Sequence, residues 1–252
     1  MNHCRIYQWS MIVALGGLLF GFDAAVISGA EQAIQIQWHL GEFMVGQMVA
    51  MGLCGTIFCA LLGGIPAERW GRKPALIWVG VLYLVCSPGC AFSPSVSLLM
   101  FFRFLGGLGV GASSVIAPAY ISEIAPAAQR GRVTAIFQFN LVFGILLAYH
   151  SDWVIGLGAP HSWRVMLGVM AIPSALYVLL VPAVPERPRW LILYRNRLAD
   201  ARKILEAVDR ATAESSIAAI QAPTNHKNIG HLHFLSGGYI CSILNGVYAR
   251  VV

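Results

Sequence analysis

The sequence predicts an all-α, polytopic membrane protein with six membrane-spanning helices, and three observations support this prediction. Hydrophobic residues make up 58% of the 252 residues and charged residues only 11%, and the mean hydropathy is +0.69. The apolar residues form long runs instead of the 3.6-residue stripe of a soluble amphipathic helix. A chain of this size with so few charges cannot cover a water-soluble globule, so its solvent must be lipid.

Six apolar segments are long enough to cross a bilayer, whose hydrocarbon core of roughly 30 Å needs about 20 residues at about 1.5 Å each. In chain order they are Trp9 to Ala30, Val45 to Ile65, Ala75 to Phe92, Leu98 to Tyr120, Val133 to Ile155 and Val165 to Ala183. Arg5 precedes the first run, which is too long for the core of a signal peptide and has no evident cleavage site. We therefore expect the first segment to be a retained helix.

The cations of the connecting segments predict the orientation. They gather on one side of the membrane, after the second, fourth and sixth spans, at Arg69, Arg72, Lys73, Arg130, Arg132, Arg187, Arg189, Arg195, Arg197, Arg202, Lys203 and Arg210. The opposite loops are expected to carry Glu31, Glu42 and Asp152 with almost no Lys or Arg. The positive-inside rule therefore places the N-terminus and the segment after residue 185 in the cytoplasm. The net charge of +6 follows from this topology, and without an aromatic and basic face we expect no nucleic-acid partner.

Two charged residues fall inside the spans, where a charge is costly. Asp23 lies about seven residues from the outer end of the first span and Arg103 about five from the outer end of the fourth. Their depths are therefore roughly 10 Å and 8 Å, respectively. The matching depths predict an ion pair between the two helices. Protonation would discharge the carboxylate and release the arginine, which suits proton coupling. The alternative is a static pair that only holds two helices together.

Small and polar residues mark other faces of the spans. Gly17 and Gly21 in the first span, and the glycines between residues 106 and 111 in the fourth, predict close helix contacts. Gln138 in the fifth span offers a donor and an acceptor side by side, which suits adjacent sugar hydroxyls as well as an interhelical hydrogen bond. Phe20 has the flat face that stacks on a sugar ring, although an aromatic in a membrane helix usually serves packing.

The loop after the second span carries a recognisable pattern of glycine and charge. It runs Gly64-Ile-Pro-Ala-Glu68-Arg69-Trp-Gly71-Arg72-Lys73. It resembles the loop signature of the major facilitator superfamily, usually written G-x-x-x-D-R-x-G-R-R. Glu68 replaces the usual aspartate and Lys73 the last arginine, so the charges are kept while the lengths of the two side chains differ from the family pattern.

Three further stretches resemble the sugar porter family of that superfamily. They are Pro118-Ala-Tyr120-Ile-Ser122-Glu123-Ile-Ala-Pro126 followed by Arg130-Gly131-Arg132, the segment Pro185-Glu186-Arg187-Pro188-Arg189-Trp190-Leu191, and Leu15-Gly-Gly-Leu-Leu-Phe20-Gly21-Phe22-Asp23. The second resembles the P-E-S-P-R signature, with Arg187 in place of serine. The third is similar to the first helix of the proton-coupled members, in which the aspartate is the proton-linked group.

The resemblance implies the six-helix N-terminal half of a major facilitator fold that transports a monosaccharide, a pentose or a hexose, together with a proton. It implies that Asp23 and Arg103 form the coupling pair and that Phe20 and Gln138 line the sugar site. It also implies a cytoplasmic gate network made of Glu68, Arg69, Gly71, Arg72, Glu123, Arg130, Glu186 and Arg189. Ile145 departs from the second polar residue of xylose-type members, which leaves the exact sugar open.

The predicted organisation has three parts: a transmembrane bundle over residues 1–184, a cytoplasmic helical linker over 185–222 and a divergent tail over 223–252. The helical spacing of Leu198, Ile204, Leu205 and Val208 indicates a short cytoplasmic helix. Complete transporters of this kind have two six-helix halves, so a second, C-terminal half is expected as a partner. The alternative is a non-transporting remnant or a sensor-like binding protein in the cell membrane.

Catalytic signatures are not evident in the sequence. We find no metal-ligand cluster, no nucleophile with a neighbouring base and no phosphate loop. Cys54, Cys59, Cys86 and Cys90 fall inside apolar spans without zinc or redox spacing, and small packing residues of this kind are common there. We therefore expect neither an enzyme nor a metal or cofactor.

Overall fold

The computed structural model describes residues 3–125, 129–156, 162–195 and 197–208, together with residues 214 and 217. Within this part the helices are α1 (His3–Trp38), α2 (Glu42–Leu62), α3 (Gly64–Trp70), α4 (Arg72–Ala91), α5 (Val96–Ile124), α6 (Arg130–Gly156), α7 (Ser162–Val169), α8 (Ala171–Leu180), α9 (Pro188–Arg195) and α10 (Leu198–Val208), with a 3-10 turn at Val181–Ala183 after α8. The predicted tail, 223–252, lies outside the described residues.

Within the described residues, six helical segments are long and apolar enough to cross a membrane, which confirms the predicted number. They are α1, α2, α4, α5, α6 and the composite of α7, α8 and the 3-10 turn. Every span begins earlier than predicted, and α1 also continues to Trp38, whereas α2 and α4 end before their predicted bounds, at Leu62 and Ala91. Hydrophobicity locates the part inside lipid, whereas backbone hydrogen bonding continues the helix until a turn stops it.

Two local features differ from the sequence-based expectation. The sixth span is divided at Met170, because Pro173 cannot donate to the carbonyl of Val169 and its ring crowds that turn. Ser174 accommodates the break by donating its hydroxyl to the oxygen of Met170 at 2.7 Å. The loop expected after the second span contains the short helix α3, which ends at Trp70 and is followed by Gly71 with a φ of 102°.

Glycines bring two pairs of parallel helices into backbone contact. A Cβ on Gly21 of α1 would collide with the carbonyl oxygen of Leu141 in α6, and one on Gly144 would collide with Leu18. In the second pair, a Cβ on Gly107 of α5 would meet the carbonyl oxygen of Gly52 in α2. The close contacts predicted from the glycines of α1 and α5 are therefore present, whereas their partners on α2 and α6 were not predicted.

The two glycine pairs reveal the internal symmetry of the bundle. If the first three spans are superposed on the last three, the first span takes the place of the fourth and the fifth that of the second. This exchange converts the α1–α6 pair into the α5–α2 pair, and both are extensively packed. This pairing is the one expected of two inverted three-helix repeats.

The bundle has two chemically different ends. We call the end where α1, α4 and α6 begin the basic end, because the predicted cation-rich segments lie there. At the opposite end, Trp163 donates its indole N–H to Gln37 at 2.6 Å. Glu31 and Asp152 were expected in loops at that end but lie within α1 and α6, and Asp152 is only 6% exposed. The reason for Glu31 is that α1 continues well past the predicted end of the first span at Ala30, whereas Asp152 lies near the outer end of the fifth span, inside its predicted bounds.

Two short helices follow the last span at the basic end. The predicted helix around residues 198–208 is present as α10, and α9 precedes it. They share a small hydrophobic cluster of their own, formed by Trp190, Leu191, Ile192, Ala201 and Ile217. The proposed division of the chain at residues 184 and 222 remains a prediction.

Candidate functional site

The charged side chains of α1 and α5 meet inside the bundle. Arg103 donates from Nη1 to Oδ1 of Asp23 at 3.2 Å, and their side chains are only 6% and 15% exposed. Small neighbours make room for the pair: a Cβ on Gly52 would lie 3.3 Å from Arg103 Nη2, and one on Gly106 would lie 3.9 Å from Asp23 Oδ1. The similar depths deduced from the sequence thus correspond to a contact between the two side chains. Its role in proton coupling remains a prediction.

A small cavity of about 10 Å³ adjoins the pair, which is room for about one water molecule. Its wall comes from α1, α4, α5, α7 and the turn at Met170, and includes Asp23, Arg103, Tyr83 and Cys86. The hydroxyl of Tyr83 and Nε of Arg103 are buried without a hydrogen-bond partner among the described residues. Sequence reasoning missed Tyr83, because nothing in the apolar pattern of α4 distinguishes a tyrosine that faces a charge from one that fills a core.

The two residues predicted to bind sugar lie elsewhere on the bundle. Phe20 is half-buried and packs against the main core. Gln138 is exposed on α6, beside the exposed Phe139 and one turn from the exposed Val142. An amide that faces lipid would be costly. This face of α6 therefore suits contact with water or with another protein surface.

Glu186 joins the last span to the start of α4. Its carboxylate accepts hydrogen bonds from the backbone N–H groups of Arg72 at 3.0 Å, Lys73 at 3.2 Å and Arg187 at 3.0 Å. The first two are N-terminal amides of α4 that have no partner within the helix. A Cβ on Gly71 would lie 2.6 Å from Glu186 Oε2, and the φ of 102° at this residue favours glycine. This contact therefore depends on a carboxylate at residue 186 and on a glycine at residue 71.

A second carboxylate at the basic end holds two arginines. Glu123 lies 3.5 Å from Arg72 Nη2 and 3.1 Å from Arg187 Nε. Nearby, Lys73 donates to the carbonyl of Pro182 at 2.6 Å, and the hydroxyl of Tyr120 donates to the carbonyl of Pro185 at 2.7 Å. These contacts tie the end of the sixth span to α4 and α5.

The structure brings together only part of the predicted gate network. Gly71, Arg72, Glu123 and Glu186 meet as described. Arg69 and Arg130 are exposed, and the side chains of Glu68 and Arg189 lie outside the described part of the chain. Arg187, Lys73 and Tyr120 belong to the network but were not assigned to it, although each stands inside a quoted motif and that position was the available signal.

No group of three metal-binding side chains occurs within the described residues. What the arrangement can do chemically rests on charge and hydrogen bonding: one buried ion pair between spans, and carboxylate clamps at the basic end. A buried pair whose carboxylate can be neutralised can exist in two states, with the arginine held or released.

Comparison with known proteins identifies related sequences and folds. The family model described as "Sugar (and other) transporter" matches residues 9–248. The chain is 41% identical over 197 residues to the D-xylose transporter of Levilactobacillus brevis, covering 78% of this chain and 43% of that protein. It is 39% identical over 224 residues to the glucose transport protein of Synechocystis sp. (strain ATCC 27184 / PCC 6803 / Kazusa), covering 84% and 48%.

A solved structure has the same fold. The structure of the major facilitator proton:xylose symporter XylE bound to 6-bromo-6-deoxy-D-glucose superposes with a TM-score of 0.84 and 31% sequence identity, covering 90% of this chain and 54% of that one. The six helices therefore have the arrangement of one half of a major facilitator fold. The chain spans about half the length of the curated relatives it matches.

Proposed function

Because the chain belongs to the sugar transporter family, we propose that it is the N-terminal half of a transporter that moves a monosaccharide across the membrane together with a proton. The buried ion pair between Asp23 and Arg103 is the single observation that carries the proton-coupled part of this proposal. Similar proteins are named as D-xylose and glucose transporters, so a pentose or a hexose is the proposed substrate. A second six-helix half completes the proposed transporter.

The coupling mechanism follows from the cost of an unpaired charge inside the bundle. When Asp23 is ionised, Arg103 is held and α1 is tied to α5. When Asp23 takes up a proton, the guanidinium loses its counter-charge and must find water or another acceptor, which favours a different arrangement of the helices. Sugar binding that prefers one of these arrangements is then linked to the proton.

The sugar site is proposed on the side of α1 and α6 that carries Phe20 and Gln138. The amide of Gln138 can donate to one sugar hydroxyl and accept from its neighbour, and the Phe20 ring can cover an apolar face of the sugar. The exposure of Gln138 supports this placement, because the amide is free to reach a ligand held between this half and a second one.

The orientation is proposed from charge. With the basic end in the cytoplasm, the positive-inside rule is satisfied and the N-terminus is cytoplasmic. The contacts of Glu123 and Glu186 then form part of an inner gate, which fastens the sixth span to α4 and α5. The proposed location of the chain is the cell membrane.

The test of proton coupling uses the complete transporter that carries this half, reconstituted in vesicles. Asp23→Asn keeps the size of the side chain but cannot ionise, so we expect it to abolish sugar-driven proton uptake and to spare sugar exchange. Asp200→Asn, which changes a partly exposed carboxylate of α10 that is paired with Arg197 outside the spans, serves as the matched control. Wild-type coupled uptake in Asp23→Asn would refute the assigned role.

The test of the sugar site is a binding measurement on the same transporter. Gln138→Ala is expected to weaken sugar binding by more than about 1 kcal/mol, the scale of one lost hydrogen bond. Val154→Ala, at another exposed position of α6, is expected to bind sugar normally. An unchanged affinity in Gln138→Ala would return this residue to a packing role.

A further inference from the structure

Four buried hydroxyls in the bundle have no hydrogen-bond partner among the described residues. They are Ser10 Oγ, Tyr83 OH, Ser113 Oγ and Tyr177 OH. Each residue is at most 1% exposed, and they come from four different helices, α1, α4, α5 and α8. Buried polar groups in native proteins are almost always satisfied, and ordered water supplies the partner where protein does not. Four such hydroxyls in one interior therefore indicate sites for buried water.

The Tyr83 hydroxyl lies nearest to the ion pair. Tyr83 lines the same cavity as Asp23 and Arg103, together with the thiols of Cys86 and Cys90. The titratable and charged groups that face Asp23 in this cavity are thus one guanidinium, one phenol and two thiols. The cavity opens among α1, α4, α5 and α7, and Gln138 does not line it.

The next hydroxyls continue from this cavity toward the basic end. A Cβ on Gly109 of α5 would lie 3.5 Å from the Tyr83 ring, and Ser113 stands one turn further along the same helix. Ser113 Oγ and Tyr177 OH both face Gly16 of α1, at 2.8 and 3.3 Å from the place where a Cβ would be. Both hydroxyls therefore approach the backbone of α1 so closely at Gly16 that a larger side chain there would displace them.

Two more hydroxyls lie between this level and the basic end. Ser10 precedes Gly16 by six residues on α1, which is about 9 Å along the helix, and Tyr120 follows Ser113 by seven on α5, which is about 10.5 Å. The Tyr120 hydroxyl donates to the carbonyl of Pro185, in the segment that follows the sixth span. The hydroxyls thus span the distance from Asp23 to the basic end at intervals of one to two helical turns.

We propose that Asp23 exchanges its proton with the basic end through a file of buried water molecules held by Tyr83, Tyr177 and Ser113, and not through the open side where Gln138 lies. In each transfer a hydroxyl oxygen accepts one proton and releases its own to the next water. One O–H bond forms as another breaks, and no hydroxyl changes its charge. The proton and the sugar then follow separate routes that meet at Asp23. This inference rests on the proposed function.

The experiment compares two activities of the complete transporter in vesicles. Tyr83→Phe, Tyr177→Phe and Ser113→Ala each remove one hydroxyl with little change of volume. We expect each to slow sugar uptake driven by a proton gradient about tenfold, and the triple variant further. Sugar exchange in the absence of a gradient, which needs no net proton release, is expected to stay at the wild-type rate. Ser174→Ala is the matched control, because its buried hydroxyl is already satisfied by the Met170 carbonyl.

The outcomes separate this inference from the proposed function. If the wild-type transporter shows no proton-driven uptake, the proposed function fails. If the wild type is coupled and the triple variant takes up sugar at the wild-type rate, only the water file is refuted. If the hydroxyl variants lose sugar exchange to the same degree as driven uptake, the hydroxyls serve packing, and the water file is likewise refuted.

Discussion

Replacing Glu186 with alanine is expected to destabilise the protein at its basic end. The carboxylate accepts hydrogen bonds from two N-terminal amides of α4, those of Arg72 and Lys73, across more than one hundred residues of sequence. It also accepts from the N–H of Arg187 at 3.0 Å. Alanine would leave all three amides without this acceptor, and water would satisfy them only in part because the site is half-buried.

The magnitude can be worked from these contacts. A hydrogen bond to a charged group contributes about 1.5–3 kcal/mol, and loss of a helix N-cap costs about 0.5–2 kcal/mol. These two figures describe overlapping contacts, so they do not add. We expect Glu186→Ala to lower the free energy of unfolding by about 2–3 kcal/mol, and Glu186→Gln, which keeps one acceptor oxygen, by about 1 kcal/mol.

The assay is equilibrium unfolding of the purified chain in detergent, followed by circular dichroism. Glu206→Ala, which removes an exposed carboxylate from α10, is the control and should unfold like wild type. Gly71→Ala tests the same contact from the other side, since its Cβ would lie 2.6 Å from Glu186 Oε2. The double variant should cost less than the sum of the single ones, because both disrupt one contact. Wild-type stability of Glu186→Ala, or strict additivity, would refute the reasoning.

Two further predictions concern the interior of the bundle. Gly21→Val places a side chain against the Leu141 carbonyl and should lower the free energy of unfolding by about 1–3 kcal/mol. Gly46→Val is the control, because nothing lies within 4 Å of a Cβ at this position, and it should cost far less. Equal losses in the two variants would show that helix propensity, and not packing, governs both. Asp152→Asn should raise the free energy of unfolding by about 1 kcal/mol or more at pH 8, because both carboxylate oxygens are buried without a partner within the described residues. Thermal unfolding in detergent measures this change. A lower stability of the variant would argue against an unpaired charge at this position.

The spans and the ion pair were accessible from the sequence because they depend on distance along a helix. A bilayer sets the length of an apolar run, and a fixed rise per residue converts position into depth. Asp23 and Arg103 could therefore be matched before their helices were known to touch. Pro173 could also have indicated the break in the sixth span. It was missed because the spans were located by hydrophobicity alone, and a proline does not interrupt an apolar run.

The contacts of Glu186 and the setting of Tyr83 were not accessible in this way. A motif can mark Glu186 as significant, but it cannot say that the carboxylate caps α4. Likewise, nothing in an apolar stretch shows that Tyr83 faces Asp23 and shares a cavity with it. Both depend on which face each helix turns toward its neighbours.

The sequence by itself determined that this chain is a six-span membrane protein, because transfer of apolar side chains into lipid is a local property that each segment carries alone. Its ordered motifs also indicated the family. Only the tertiary structure decided that α1 pairs with α6 and α2 with α5, that Glu186 closes the start of α4, and that buried hydroxyls lie between Asp23 and the basic end. In lipid every helix is apolar on most faces, so hydrophobicity does not determine which helices pack together. The pairing is determined by the close fit of small residues and by the few polar groups.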